Sequence, residues 1–263
     1  MTSLWTRTST IIALTAAAAL GLTACSGGTA PVGSSTEEQA PASQEPLTID
    51  TFADRMSKAQ TEAGSVHTEM STEFQGQSQV MTGDMTITEK PSDMKMSVTM
   101  ELPGGMTMEM RMLDAKLFMN MGEMSQNKFV ETPLSGPEAE QFLGQLDQLN
   151  PQQQQQALAD AVTDFSAAEK TEKIDGVETR AYTLTLDTKE MLKGQADVLA
   201  AAGSDMPETL EYVMHVGSDD LPRRVVMTVA GVVVETNFSA WGKPVSIEAP
   251  AADQLIDEKA LGM

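Results

Sequence analysis

The chain has 263 residues, with 17 Lys and Arg against 38 Asp and Glu and a net charge of −21 at pH 7. So acidic a balance excludes nucleic-acid binding, which rests on neutralising phosphates, and flat adsorption to anionic lipid headgroups. Aromatic residues make up only 4%, whereas there are 20 methionines and one cysteine.

In chain order the first element is an address. Arg7 precedes an apolar run from Ile11 to Leu20 and small residues follow, which is the layout of a secretory signal peptide over residues 1–24. The run is too short to stay in a bilayer, since a spanning helix needs about 20 apolar residues. Leu22-Thr23-Ala24-Cys25 resembles the lipobox of bacterial lipoproteins, where a peptidase cuts ahead of a cysteine carrying diacylglycerol. The resemblance implies that Cys25 is lipidated; read as an ordinary cleavage site, the same residues leave Cys25 incidental. An unmodified lone thiol would be reactive outside the cell, whereas a thioether is chemically quiet. Each buried methylene of an acyl chain adds about 0.8 kcal/mol, so two chains on one residue hold firmly. The expected location is the extracytoplasmic face of a cell membrane, lipid-anchored.

Residues 25–46 then form a tether. Ser26 to Pro46 holds Gly, Ser, Thr, Pro, Ala, Gln and Glu and nothing that could build a core. At about 5 to 6 Å times the square root of its length, it sets the body roughly 25 Å from its anchor. Residues 47–263 are long enough for a single domain.

The domain opens with a helix. Thr48 or Asp50 can cap it, Phe52, Met56, Ala59 and Ala63 recur at helical spacing, and Gly64 ends it. The period then changes to two. Val66 to Phe74 and Met81 to Thr88 alternate apolar with polar, and so do the runs holding Met94, Met96, Val98, Met100 and Leu102, then Met106, Met108, Met110 and Met112, then Leu117, Met119 and Met121. These are half-buried strands of an antiparallel meander, parted by turns at Gln75-Gly76, Lys90-Pro91, Pro103-Gly104-Gly105 and Asp114-Ala115. Helical spacing returns from Pro137 through Leu149, and Pro151 restarts it through the glutamine tract to Val162. A strand over 177–186, a helix from about Thr188 to Ala202 and strands over 210–216, 223–229 and 232–238 complete the chain. The order predicts an α+β domain: one antiparallel sheet covered on a single face by helices.

Little here suggests catalysis. Only His67 and His215 are present, both in strand-like runs, and no nucleophile elbow, phosphate-binding glycine loop or zinc-binding His pair occurs. The expectation is a chain that is not an enzyme, has no catalytic residues, needs no cofactor and has no dedicated metal centre. The methionines admit three readings. They can be an ordinary core, although cores favour Leu, Ile, Val and Phe, and strands favour β-branched residues. They can line a pliable cavity, because unbranched polarizable side chains re-pack around ligands of varied shape. They can also bind Cu(I), for which thioethers are suited, although i, i+2 spacing follows from strand alternation alone.

Several segments carry a family resemblance. Asp175-Gly176-Val177-Glu178-Thr179-Arg180-Ala181-Tyr182 leading to Leu186-Asp187, the turn Asp220-Leu221-Pro222-Arg223-Arg224, and Phe238-Ser239-Ala240-Trp241-Gly242-Lys243-Pro244-Val245-Ser246-Ile247 resemble actinobacterial lipoproteins of the LppX and LprG family. That family's fold is similar to the LolA and LolB lipoprotein carriers. The resemblance covers residues 1–46 loosely and about 174–250 better, and the Met-rich middle departs from it. It implies a strongly curved antiparallel sheet, a LolA-like half-barrel closed by helices around a hydrophobic cavity for acyl chains. Trp241 and Gly242 read as closing the last strand.

Taken together, these readings predict a monomeric, membrane-anchored lipoprotein that binds or transfers a membrane lipid or glycolipid, with no nucleic-acid partner. Strand alternation selects Met85, Met96, Met108, Met110 and Met119 as the residues facing the ligand. The alternatives are a non-catalytic cell-envelope interaction or sensing module and a Cu(I)-binding lipoprotein.

Overall fold

The computed structural model describes residues 45–257 except 75–76, 89, 91–92, 103, 136–149, 192, 194–205 and 230. The signal peptide, Cys25, nearly all of the tether and the helix expected over 137–149 lie outside the described residues. No helix among the described residues is long and apolar enough to cross a membrane.

Helix α1 runs Phe52–Ala63 and ends where Gly64 adopts φ +73°, a left-handed cap that costs glycine least. Its start differs from expectation. Thr51 is the cap residue, and the carbonyl of Thr48 takes the amides of Thr51 and Phe52, so neither the Thr48 nor the Asp50 side chain caps it.

Twelve strands form one sheet: β1 Ser65–Phe74, β2 Gln77–Thr86, β3 Met96–Leu102, β4 Met106–Leu113, β5 Lys116–Asn120, β6 Phe129–Pro133, β7 Val162–Ile174, β8 Val177–Asp187, β9 Thr209–Gly217, β10 Pro222–Val229, β11 Val232–Ser239 and β12 Leu255–Ile256. Their order is β12-β6-β5-β4-β3-β2-β1-β11-β10-β9-β8-β7. Neighbours are antiparallel except β12 with β6. The sheet is open and curved. Two tight hairpins show why these turns work. Asp114 and Ala115 (φ 52° and 56°) and Asp175 and Gly176 (φ 50° and 81°) supply the paired left-handed residues that match strand twist.

Strands β6, β7 and β12 carry no sequence expectation, and β7 shows why. It is an edge strand whose residues from Thr163 to Lys173 are exposed apart from Phe165. Neither of its faces is consistently apolar, so alternation is invisible, and two irregularities in its pairing with β8 break what periodicity remains.

Helix α2, Pro151–Ala161, begins as expected: Asn150 Oδ1 accepts the amides of Gln152 and Gln153, and Pro151 takes the first helical position. Gln152, Gln153, Gln154 and Gln156 are exposed, so the glutamine tract is mostly a solvated helix face. Helix α3, Thr188–Met191, is the described part of the expected 188–202 helix. Asp187 Oδ1, and not Thr188, receives its first amides; Thr188 is buried and donates to the Pro207 carbonyl.

The main core joins α1 and α2 to one face of β8–β10. Phe52, Met56, Leu158, Tyr182, Leu184, Leu186, Leu210 and Met214 meet there. The described helices therefore cover the β7–β10 end, which makes helix coverage narrower than the single fully covered face predicted from sequence. Arg55 holds α1 to the β9–β10 turn through two hydrogen bonds to Asp220, of 2.9 and 2.6 Å. Trp241 donates from Nε1 to the Pro222 carbonyl and stacks on Phe238, and the Gly242 amide donates to Ser65. The closing role read for Trp241 and Gly242 is what they perform, and the Asp220–Arg224 segment is likewise a turn and strand start.

Candidate functional site

Directly opposed residues of neighbouring strands project from the same face, so the register sorts the methionines. Met70 faces Met81, Met81 faces Met100, and Met100 faces Met108, a row across β1 to β4. A second row runs Thr68, Gly83, Val98, Met110, Met119 and Val130. The third runs Val66, Met85, Met96, Met112 and Leu117. The first row continues through Thr236, Val225 and Met214 to Tyr182, so the methionine floor lies on the face that carries α1 and α2.

All five residues chosen by alternation stand on this floor. Met85 and Met96 are directly paired, as are Met110 and Met119, and Met108 ends the first row. Each is half-buried. Alternation alone does not single out Met70, Met81 and Met100, because their membership depends on which strands are neighbours; aligning a β2–β3 hairpin on its methionines identifies the last two. The 106–112 run is not uniform, since Met106 is 41% exposed at the start of β4 whereas Met112 is 3% exposed.

Gly83 lets the strands approach closely in the middle row. A Cβ there would come within 3.1 Å of the Ser97 carbonyl and 3.4 Å of Thr68 Oγ1 and Val98 Cγ2. Glycine inside a strand marks close approach of neighbouring backbone, and here the Ser97 carbonyl, Thr68 and Val98 close over it. The three rows hold no ionisable group between β1 and β5. At the helix-covered end Tyr212 packs against the main core, and burial pushes its phenol up to about 12.

The opposite face carries charged pairs and, toward β4 to β6, a buried apolar cluster of Leu113, Phe118 and Phe129. His67 meets Asp84 at 2.8 Å, Arg111 meets Glu109 at 2.7 Å, and Lys116 meets Glu131 at 2.7 Å. A polar hollow of about 530 Å³ on that side is bordered by His67, Glu69, Lys173, Arg224 and Asn237 among others. His215 is buried beside Arg224, with Nδ1 2.6 Å from Glu172 Oε1 but not aligned with it as a hydrogen bond. Burial, then the Arg224 guanidinium, lower its pKa, against the pull of Glu172 and Glu235. The unfolded chain therefore binds the His215 proton more tightly, so stability is lost as pH falls through the ordinary histidine value of about 6.5. Between pH 7 and 6 the melting temperature of His215→Gln is expected to fall less than that of the unaltered chain. Parallel slopes in thermal melts would remove His215 from this role.

No protein-family model matches the chain, and neither does any curated protein sequence. Solved structures do. LprF from Mycobacterium bovis is 17% identical, with 78% of this chain aligned to 97% of that one at a TM-score of 0.54. The Mycobacterium tuberculosis lipoprotein LppX is 14% identical, with 76% of this chain aligned to all of that one at 0.47. The MucA/MucB complex of Pseudomonas aeruginosa aligns more distantly, at 12% identity over 78% of this chain and 59% of that one, with a TM-score of 0.37. LprF, at a TM-score of 0.54, is a mycobacterial lipoprotein of the LppX and LprG group that the sequence resembles. At these identities the likeness to LprF establishes the fold.

Proposed function

We propose that this chain is a membrane-tethered lipid-binding lipoprotein, without catalysis, whose methionine floor receives the acyl chains of a membrane lipid or glycolipid. The observation that carries the reading is the uncharged run across β1 to β5, mostly thioethers with Val66, Val98, Leu117, Thr68 and Gly83 among them, on the face that also bears the helices. Hydrocarbon gains about 0.8 kcal/mol per methylene buried there, and unbranched side chains conform to chains of different length and unsaturation. In this reading the floor is the inner wall of a LolA-like half-barrel, with the polar headgroup left at its rim. The lipidated Cys25 and the following tether keep the domain within reach of the membrane from which it collects cargo. The LprF-like fold supports this reading without naming a ligand.

One mass-spectrometric experiment addresses both cargo and anchor. Protein purified from its native host membrane is expected to release lipid in near-stoichiometric amount on organic extraction. Its N-terminal tryptic peptide should begin at Cys25 and carry a diacylglyceryl group. Lipid-free protein that also fails to take up lipid from vesicles would end the carrier reading, and an unmodified or uncleaved N-terminus would end the anchor.

A further inference from the structure

The methionines of the floor are not evenly spread. Met85, Met96 and Met112 stand directly opposite one another on β2, β3 and β4. Met94, just before β3, closes on the same spot. Met94 and Met112 are each 3% exposed, Met85 and Met96 pack against them, and Leu117 and Leu134 complete the shell. Four thioethers therefore meet where water is largely excluded, in a small cluster separate from the main core. Packing alone gives no reason for this composition, because Leu, Ile and Val define one arrangement better and suit strands better.

A thioether sulfur is neutral, polarizable and a poor hydrogen-bond acceptor, but it is a soft donor. Hard cations such as Ca²⁺ and Mg²⁺ require oxygen ligands, and Zn²⁺ takes thiolate, imidazole or carboxylate. Among the described residues no group of three or more His, Cys, Asp or Glu is placed to hold a metal ion. We propose that Met85, Met94, Met96 and Met112 form a binding site for a soft monovalent cation, Cu(I), with thioether sulfurs as its ligands. Opposed residues of adjacent strands have Cβ atoms about 4.5 to 5.5 Å apart, within reach of convergence by long side chains. Three rotatable bonds in each Met turn a sulfur from packing to coordination without moving the backbone. Leu117 and Leu134 keep water from the ion, which favours the reduced, softer state. Because a thioether carries no proton to lose, binding is independent of pH, unlike binding by imidazole, thiolate or carboxylate. The site shares Met85 and Met96 with the floor, but its readout is metal affinity, so its failure leaves the lipid reading untouched.

The test titrates the mature full-length chain anaerobically with Cu(I) against a chromophoric Cu(I) chelator, at about pH 5.5 and 7.5, which bracket histidine titration. One equivalent is expected to bind with equal affinity at both values, and Ag(I) should compete for it. Met94→Leu/Met112→Leu conserves volume, so it should keep its melting temperature within a few degrees while losing about a hundredfold or more in affinity. Met106→Leu/Met124→Leu, at positions 41% and 59% exposed, should bind as the unaltered chain does. Should the first variant fail to fold, Met85→Leu/Met96→Leu serves the same purpose. Equal affinity in the cluster and control variants would overturn the proposal. So would binding that weakens on acidification, which would assign the ion to His67 or His215.

Discussion

Met100→Glu/Met110→Glu is expected to weaken binding of a fluorescent long-chain fatty acid by about a hundredfold or more, corresponding to about 3 kcal/mol. Met100 sits between Met81 and Met108 in the first row, and Met110 between Val98 and Met119 in the second. Carboxylates at these points would lie under the hydrocarbon. They would have to stay charged against an acyl chain or protonate unfavourably, and the floor offers no cation to pair with them. Met100→Leu/Met110→Leu, matched in volume and polarity, should bind within a few-fold of the unaltered chain. Because both positions are half-buried and far in sequence from the main core, the Glu variant should fold, with a cooperative melt as the check. Retained affinity in a folded Glu variant would show that acyl chains lie elsewhere.

The reason the floor could be read in part from sequence is that its strands are half-buried. In β3 and β4 apolar residues alternate with Ser97, Thr99, Glu101, Thr107, Glu109 and Arg111, which project from the opposite face. Alternation settles which side of a strand a residue occupies; it does not settle which strand lies beside it. That is why Met85, Met96, Met108, Met110 and Met119 emerge on one common face, whereas the Met70–Met81–Met100–Met108 row and the Met85, Met94, Met96, Met112 cluster become visible only with the pairing. The same logic explains the missed β7. Its partner β8 has Tyr182, Leu184 and Leu186 buried on one face and reads clearly, while β7 at the sheet edge carries Thr163, Asp164, Ser166 and Lys170 into solvent. Local turn chemistry was legible for a different reason: Asp175-Gly176 must adopt positive φ for a hairpin this tight, and Asp-Gly is a pair that does so readily, whereas Ala115 takes φ 56° at a steric cost. The caps of α1 and α3 were not, because Thr48, Thr51, Asp187 and Thr188 are all capable, and the choice among them is made by tertiary contacts such as the Thr188 bond to Pro207.

The second large effect concerns the end of the sheet that the helices do cover. Phe52 is 0% exposed and stacks on Phe165 with ring centroids 5.5 Å apart; Phe165 in turn lies 5.7 Å from the Tyr182 ring. Tyr182 is fixed from the other side by the Leu47 amide, which donates to its hydroxyl at 3.0 Å. Phe52 is thus the contact through which the first turn of α1 reaches β7 and β8. Truncation to alanine removes its transfer free energy and leaves a cavity lined by side chains that the sheet backbone holds apart, so Phe52→Ala is expected to cost about 3 to 5 kcal/mol. Against a total of about 5 to 15 kcal/mol this is a large share, and for a domain of this size it should lower the melting temperature by roughly 10 °C or more. Fatty-acid affinity of the molecules that remain folded should change little, because the floor between β1 and β5 is built by strand pairing that does not pass through α1. A loss below about 1 kcal/mol would mean that α1 adjusts to fill the space. Loss of acyl binding in a still-folded Phe52→Ala protein would place the ligand under α1, among Phe52, Phe165 and Tyr182, and away from the methionines.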